Sequence, residues 1–101
     1  MQLIQLQKLP NQVFNVTLND ELYRIAIRTI QDLTFISVWK NDEPLFYNQI
    51  CTPNAFVNPY NYVSSNGKLY FQCLDNEYPN YKQFGNTQQL YFLTPEEVSA
   101  L

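Results

Sequence analysis

The sequence predicts an all-β domain, a small sandwich or barrel of about seven or eight antiparallel strands with a short C-terminal helix. Two observations predict it. Apolar and polar residues alternate with period two along most of the chain, while helical spacing is nearly absent. Asn, Asp, Gly and Pro cluster between the alternating runs, where the backbone must turn. At 101 residues with 46% apolar content, residues 1–101 make one domain with one modest core.

Phe14, Val16 and Leu18 alternate with Asn15 and Thr17, and Tyr23, Ile25 and Ile27 alternate with Arg24 and Arg28. Each run has one apolar face and a polar back, the mark of a half-buried strand. Asn19-Asp20-Glu21 between them reads as a hairpin turn. Thr34 to Lys40 is rich in β-formers on both faces; Asn41-Asp42-Glu43-Pro44 is the next turn, and Leu45 to Cys51 returns. Thr52 to Pro59 is expected to be an irregular connection. Tyr60 to Ser65, Asn66-Gly67 and Lys68 to Leu74 form the strongest hairpin pattern, because Asn-Gly suits a type I′ turn. Leu69, Phe71 and Cys73 then share one face. Asp75 to Thr87 is a long loop kept from disorder by Tyr78, Tyr81 and Phe84, and Gln88 to Leu93 is the last strand. Thr94-Pro95-Glu96-Glu97 reads as a capping box with proline at the first helical position.

The composition excludes most chemistry. There is no histidine, so the usual general base, the usual zinc ligand and any histidine-dependent triad are missing. Two cysteines without histidine do not make a structural zinc site, and two glycines do not make a phosphate loop. The carboxylate pairs Asp20/Glu21, Asp42/Glu43 and Asp75/Glu77 sit in turns and Glu96/Glu97 in a first helical turn, where such residues serve structure. No enzyme activity, no cofactor, no metal and no small-molecule substrate are expected.

The six basic residues are scattered along a chain of net charge −3. Direct nucleic-acid binding and membrane binding both need a basic patch, and neither is expected. No apolar run is long enough to cross a membrane, and the N-terminus lacks the pattern of a signal peptide. Synthesis in a cytosol follows, with Asn15-Val16-Thr17 unglycosylated and Cys51 and Cys73 small buried thiols rather than a disulfide.

What the chain does carry is aromatics and amides: eight Tyr, seven Phe, Trp39, 12 Asn and 10 Gln. Aromatics are enriched in interface cores, and amides hydrogen-bond without bringing a buried charge. Tyr60-Asn61-Tyr62 with Tyr78 and Tyr81 could also stack on a sugar or base, against the plainer reading of half-buried tyrosines. Tyr23 and Phe71 read as core. The candidate interface is the C-terminal loop, with Tyr78, Tyr81, Phe84, Gly85 and Gln88, together with Asn11 and Gln12 of the Pro10-Asn11-Gln12 turn.

The chain resembles the small baseplate plug proteins of contractile-tailed bacteriophages, a family named from a cyanophage baseplate. The resemblance begins at Leu3-Ile4-Gln5-Leu6 and Pro10-Asn11-Gln12 and passes through the Tyr23–Arg28 strand, the Cys51 region and Gly67-Lys68-Leu69-Tyr70-Phe71. It ends in Tyr78-Pro79 and the run Phe84-Gly85-Asn86-Thr87-Gln88-Gln89-Leu90-Tyr91. It implies a structural protein of the virion, in the tail baseplate, contacting hub, tube or spike proteins at the end of the tail tube. Several copies per virion, and contacts between copies, are implied as well. The alternative is a small phage-encoded binding module, either a carbohydrate adhesin or an inhibitor of a host protein.

Overall fold

The computed structural model describes residues 1–57 and 67–100. Two four-stranded antiparallel sheets pack face to face. One runs β1 (Gln2–Ile4), β8 (Gln88–Leu93), β7 (Lys68–Cys73), β6 (Ala55–Phe56); the other runs β2 (Gln12–Leu18), β3 (Glu21–Ile30), β4 (Leu33–Lys40), β5 (Glu43–Ile50). Among the described residues no strand pairing joins the two sheets, so the fold is a sandwich and not a closed barrel.

The alternation sets the core. Ile25 and Ile27 of β3, Ile36 and Val38 of β4, Phe71 of β7 and Leu90 of β8 all point inward and are almost completely buried. The ring of Tyr23 tilts against Phe92 across the sheets at 5.8 Å. Each such apolar side chain contributes about 1.5–3 kcal/mol on leaving water.

The second sheet is a meander on three tight turns. Asn19-Asp20, Gln31-Asp32 and Asn41-Asp42 each hold positive φ at both residues, between 50° and 67°. Two-residue turns of this hand match the right-handed strand twist, and Asn and Asp tolerate the left-handed region better than other side chains. The turns are shorter than the sequence suggests. Glu21 pairs with Leu18, and Glu43 and Pro44 pair with Lys40 and Trp39 inside β5. Pro44 is accommodated because β5 is an edge strand, where a missing N–H costs no ladder bond. A bulge between Ile36 and Trp39 shifts the β4–β5 register. Ser37 anchors it, its Oγ accepting from the Asn48 N–H at 2.8 Å.

Two strands escape the alternation pattern. β1 is three residues long and pairs with β8, Ile4 facing Leu90. β6 lies inside the expected irregular connection and pairs with β7, continued by the Val57 N–H to the Leu69 carbonyl. Asn54, at φ 53°, completes this edge with its side chain. Its amide accepts from the Cys73 N–H at 2.8 Å and donates to the Cys73 carbonyl at 3.0 Å, a side chain standing in for a strand residue. The flank of β7 at Leu69–Phe71 is thus held by Ala55–Val57. The expected strand at 60–65, Asn66, and the Tyr60-Asn61-Tyr62 platform lie outside the described residues.

Thr94 caps α1 (Pro95–Ser99) as expected: its Oγ1 accepts from the Glu97 N–H, and the Glu97 carboxylate accepts from the Thr94 N–H. The Met1 ammonium also meets that carboxylate. Together these hold the Glu97 carboxyl below the usual range.

Cys51 and Cys73 are free and buried at 0% and 1% exposure. Burial in an apolar core disfavours a thiolate and pushes both thiols up. A disulfide reagent at pH 8 is therefore expected to label neither thiol in the folded chain and both in denaturant. Prompt labelling of the folded protein would mean that the core opens readily around both thiols.

Candidate functional site

The loop between β7 and β8 is held by polar side chains pointing inward. Gln88 opens β8 and is 1% exposed. Its Oε1 accepts from the Asn80 N–H at 2.8 Å, and its Nε2 donates to the Tyr78 carbonyl at 3.2 Å and faces the Asp75 carboxylate at 3.4 Å. Asp75 accepts from Thr87 Oγ1 at 2.7 Å and from the Glu77 N–H at 3.0 Å. The buried Thr34 Oγ1 donates to the Pro79 carbonyl at 2.6 Å and ties the loop to β4 of the other sheet. A 3-10 turn at Tyr81–Gln83, capped by the Asn80 side chain, finishes the segment. A buried amide that satisfies several backbone groups fixes one loop conformation, since leaving any of them unpaired costs about 1–3 kcal/mol.

Bonds from the Glu77 N–H, Thr87 and Gln88 hold the Asp75 carboxyl below its ordinary value. The group binds its proton more weakly in the folded than in the unfolded chain. Its contribution is complete above the ordinary carboxylate pKa of about 3.9 and fades as pH falls through the lower folded value. Asp75→Asn is accordingly expected to be less stable than the parent at pH 7, with the gap shrinking below about pH 4. Denaturant titrations at several pH values check this; a gap independent of pH would remove the carboxylate from the account.

The structure separates the candidate interface residues. Tyr78 is 51% exposed. Tyr81 is half-buried against the core, with Lys82 Nζ 5.9 Å from its ring centre. Gly85 is exposed at φ 78°, its N–H donating to the Gln88 carbonyl. Phe84 and Gln88 differ from the expectation of surface contact: each is 1% exposed. Phe84 stacks into the core at 5.7 Å from Phe71, because the turn at Gly85 folds the loop back over the open end of the sandwich. Asn11 is exposed and accepts from the Thr29 N–H at 3.3 Å, while Gln12 bonds to the Gln7 and Leu9 carbonyls. Asn11 and Gln12 line one shallow groove with Gln5, Gln7 and Leu9. Gly85 instead shares a shallow groove of about 250 Å³ with Leu3, Leu6 and Gln89.

Several of the exposed large apolar residues among those described, Val13, Leu22, Ile30 and Tyr47, lie elsewhere, on the β2–β5 sheet. The register sets Val13 beside Ala26, Arg24 beside Trp39, and Ile30 beside Leu33 on the outer face of that sheet. Val13 is 67% exposed, Leu22 50% and Tyr47 58%. Tyr47 meets the edge of Trp39 at 5.6 Å, and the Arg24 guanidinium lies 4.6 Å over the Trp39 ring. Exposed large apolar side chains grouped on one sheet face of a small domain are the usual mark of a contact surface. The signal for it was present in Thr34–Lys40, which is rich in β-formers on both faces. In a two-layer sandwich one face of such a strand stays outside. On β3 the apolar residues Leu22, Ala26 and Ile30 alternate with the two arginines on the same face.

Among the described residues no cluster of acidic and cysteine side chains could hold a metal ion. No helix is long and apolar enough to cross a membrane. Comparison with curated proteins gives no match. A family model described as cyanophage baseplate Pam3 plug gp18 matches residues 1–96, and so takes in both sheets, the C-terminal loop and the start of the helix. The chain belongs to this family of phage baseplate plug proteins.

Proposed function

We propose that this member of the baseplate plug family works by contact alone, packing against hub, tube or spike proteins at the end of the tail tube and against copies of itself. The family makes it a structural protein of the phage tail. The observation that supports a packing role is the outer face of the β2–β5 sheet, where large apolar side chains stand in solvent beside Trp39 and Arg24. Trp, Tyr and Arg are the residue types that dominate interface energetics. Asn11, Gln12, Tyr78, Tyr81 and Gly85 supply further contacts from the loops, and Phe84 and Gln88 serve them from beneath by fixing the loop.

The test is the solution mass of the purified chain, alone and mixed with the hub, tube and spike proteins of the same phage. A stable complex with one of them is the expected result. A lone monomer that ignores all three would overturn the reading in favour of an independent binding module, whether a carbohydrate adhesin or an inhibitor of a host protein.

A further inference from the structure

We infer that the outer face of the β2–β5 sheet takes an acidic protein surface, one that sets carboxylates around an apolar patch, with Arg24 and Arg28 as the cationic contacts. The inference rests on the packing role proposed above.

The chain is acidic, with nine carboxylate residues against six basic ones. The register nevertheless leaves this face with two arginines and no carboxylate: Asp20, Asp32 and Asp42 lie in the turns at its ends, and Glu21 and Glu43 pair with Leu18 and Lys40 on the opposite side of the sheet. Both arginines are exposed, and among the described residues neither forms an ion pair. Two cations without counter-charge on a face that carries Asn15 and Thr17 beside its apolar residues are costly to cover unless the covering surface brings carboxylates.

The geometry suits such a partner. The Arg24 guanidinium carbon lies 4.6 Å over the Trp39 ring, and among the described residues the group forms no ion pair, so a carboxylate can still meet it. Arg28 stands opposite Phe35 and four residues along the same strand, about 13 Å away at the usual rise of a β-strand. Both sit on a central strand, which fixes the backbone that carries them. A second copy laid face to face would set arginine against arginine, so an isologous contact through this face is disfavoured.

The experiment measures binding of the purified chain to the hub, tube and spike proteins of the same phage, each purified, at several salt concentrations. Arg24→Glu/Arg28→Glu and Arg24→Lys/Arg28→Lys are run beside the parent, with melting curves to show that each variant is folded. The expected result is a complex with one of the three proteins that weakens with salt. It should lose at least about tenfold in affinity with the Glu pair and keep most of it with the Lys pair. A complex equally tight with the Glu pair would overturn the inference and leave the packing role standing on another surface. No complex with the parent chain would overturn the packing role itself. Self-association that the Glu pair abolishes would overturn the choice of partner and make a second copy the occupant.

Discussion

Phe84→Ala is expected to lower folding stability by about 3–5 kcal/mol, the cost of emptying a phenylalanine site in a packed core. The side chain is 1% exposed and meets Phe71, itself completely buried, with the rings 5.7 Å apart. Its backbone is fixed from both sides, by a bridge to Gln88 and by its N–H to the Tyr81 carbonyl. Neighbours so held cannot collapse into the space, and residual cavity volume sets the size of the loss. Small domains have only about 5–15 kcal/mol of stability in all, so the variant should be marginal. Denaturant unfolding measures it as a lower midpoint with an unchanged slope. Tyr78→Ala in the same loop is half-exposed and should stay within about 0.5 kcal/mol of the parent. A small loss for Phe84→Ala combined with weaker binding to a tail protein would return Phe84 to the surface role that its loop position suggests.

Gly67→Ala should be the most damaging small substitution in the chain. Gly67 has φ 80°, where an L side chain costs about 1–2 kcal/mol. An added Cβ would also lie 2.5 Å from the Leu93 carbonyl oxygen and 2.7 Å from the Phe92 ring. Neither neighbour has room to give. Leu93 is paired with Lys68 in the sheet, and Phe92 is 2% exposed and packed on Tyr23. Overpacking of this kind adds about 1–3 kcal/mol. Gly85 is the internal control. Its φ is 78°, yet nothing lies within 4 Å of its added Cβ. Gly85→Ala should therefore show the backbone cost alone, and Gly85→Val more, since a β-branched residue is least tolerated at positive φ. Thermal melts of the three variants give the order. Equal losses for Gly67→Ala and Gly85→Ala would mean that the Leu93 carbonyl and the Phe92 ring both yield, and an unchanged melting temperature for Gly85→Val would remove the turn strain.

The alanine contrast between Phe84 and Tyr78 shows where reading the sequence reaches its limit. Both are aromatics in a loop, and a loop has no period to say which side chain turns inward. Only closure over the end of the sandwich, with Gln88 bonded beneath it, decides that Phe84 is core. Strands of six residues or more carry their own evidence, so β2, β3, β4, β5, β7 and β8 are legible from alternation or from their content of β-formers. A three-residue β1 and a two-residue β6 are too short to show a period, and their pairing with β8 and β7 defines them. Turn boundaries fail for a related reason. Asn19-Asp20 and Asn41-Asp42 are visible as turn formers, but the choice of a two-residue turn comes from strand twist and pairing register.

By itself the sequence determined the class of the fold, the inward faces of the long strands, the capping box, the buried thiols and a composition poor in catalytic groups. Its residue order across nearly the whole chain also determined the resemblance to baseplate plugs. These are local or compositional properties, set by side-chain chemistry and period along the chain. The tertiary structure decided which aromatics are core and which sheet face stays open. It also placed on that face two arginines that form no ion pair among the described residues. Exposure and charge environment are properties of a surface built from strands distant in sequence, so no single segment contains them.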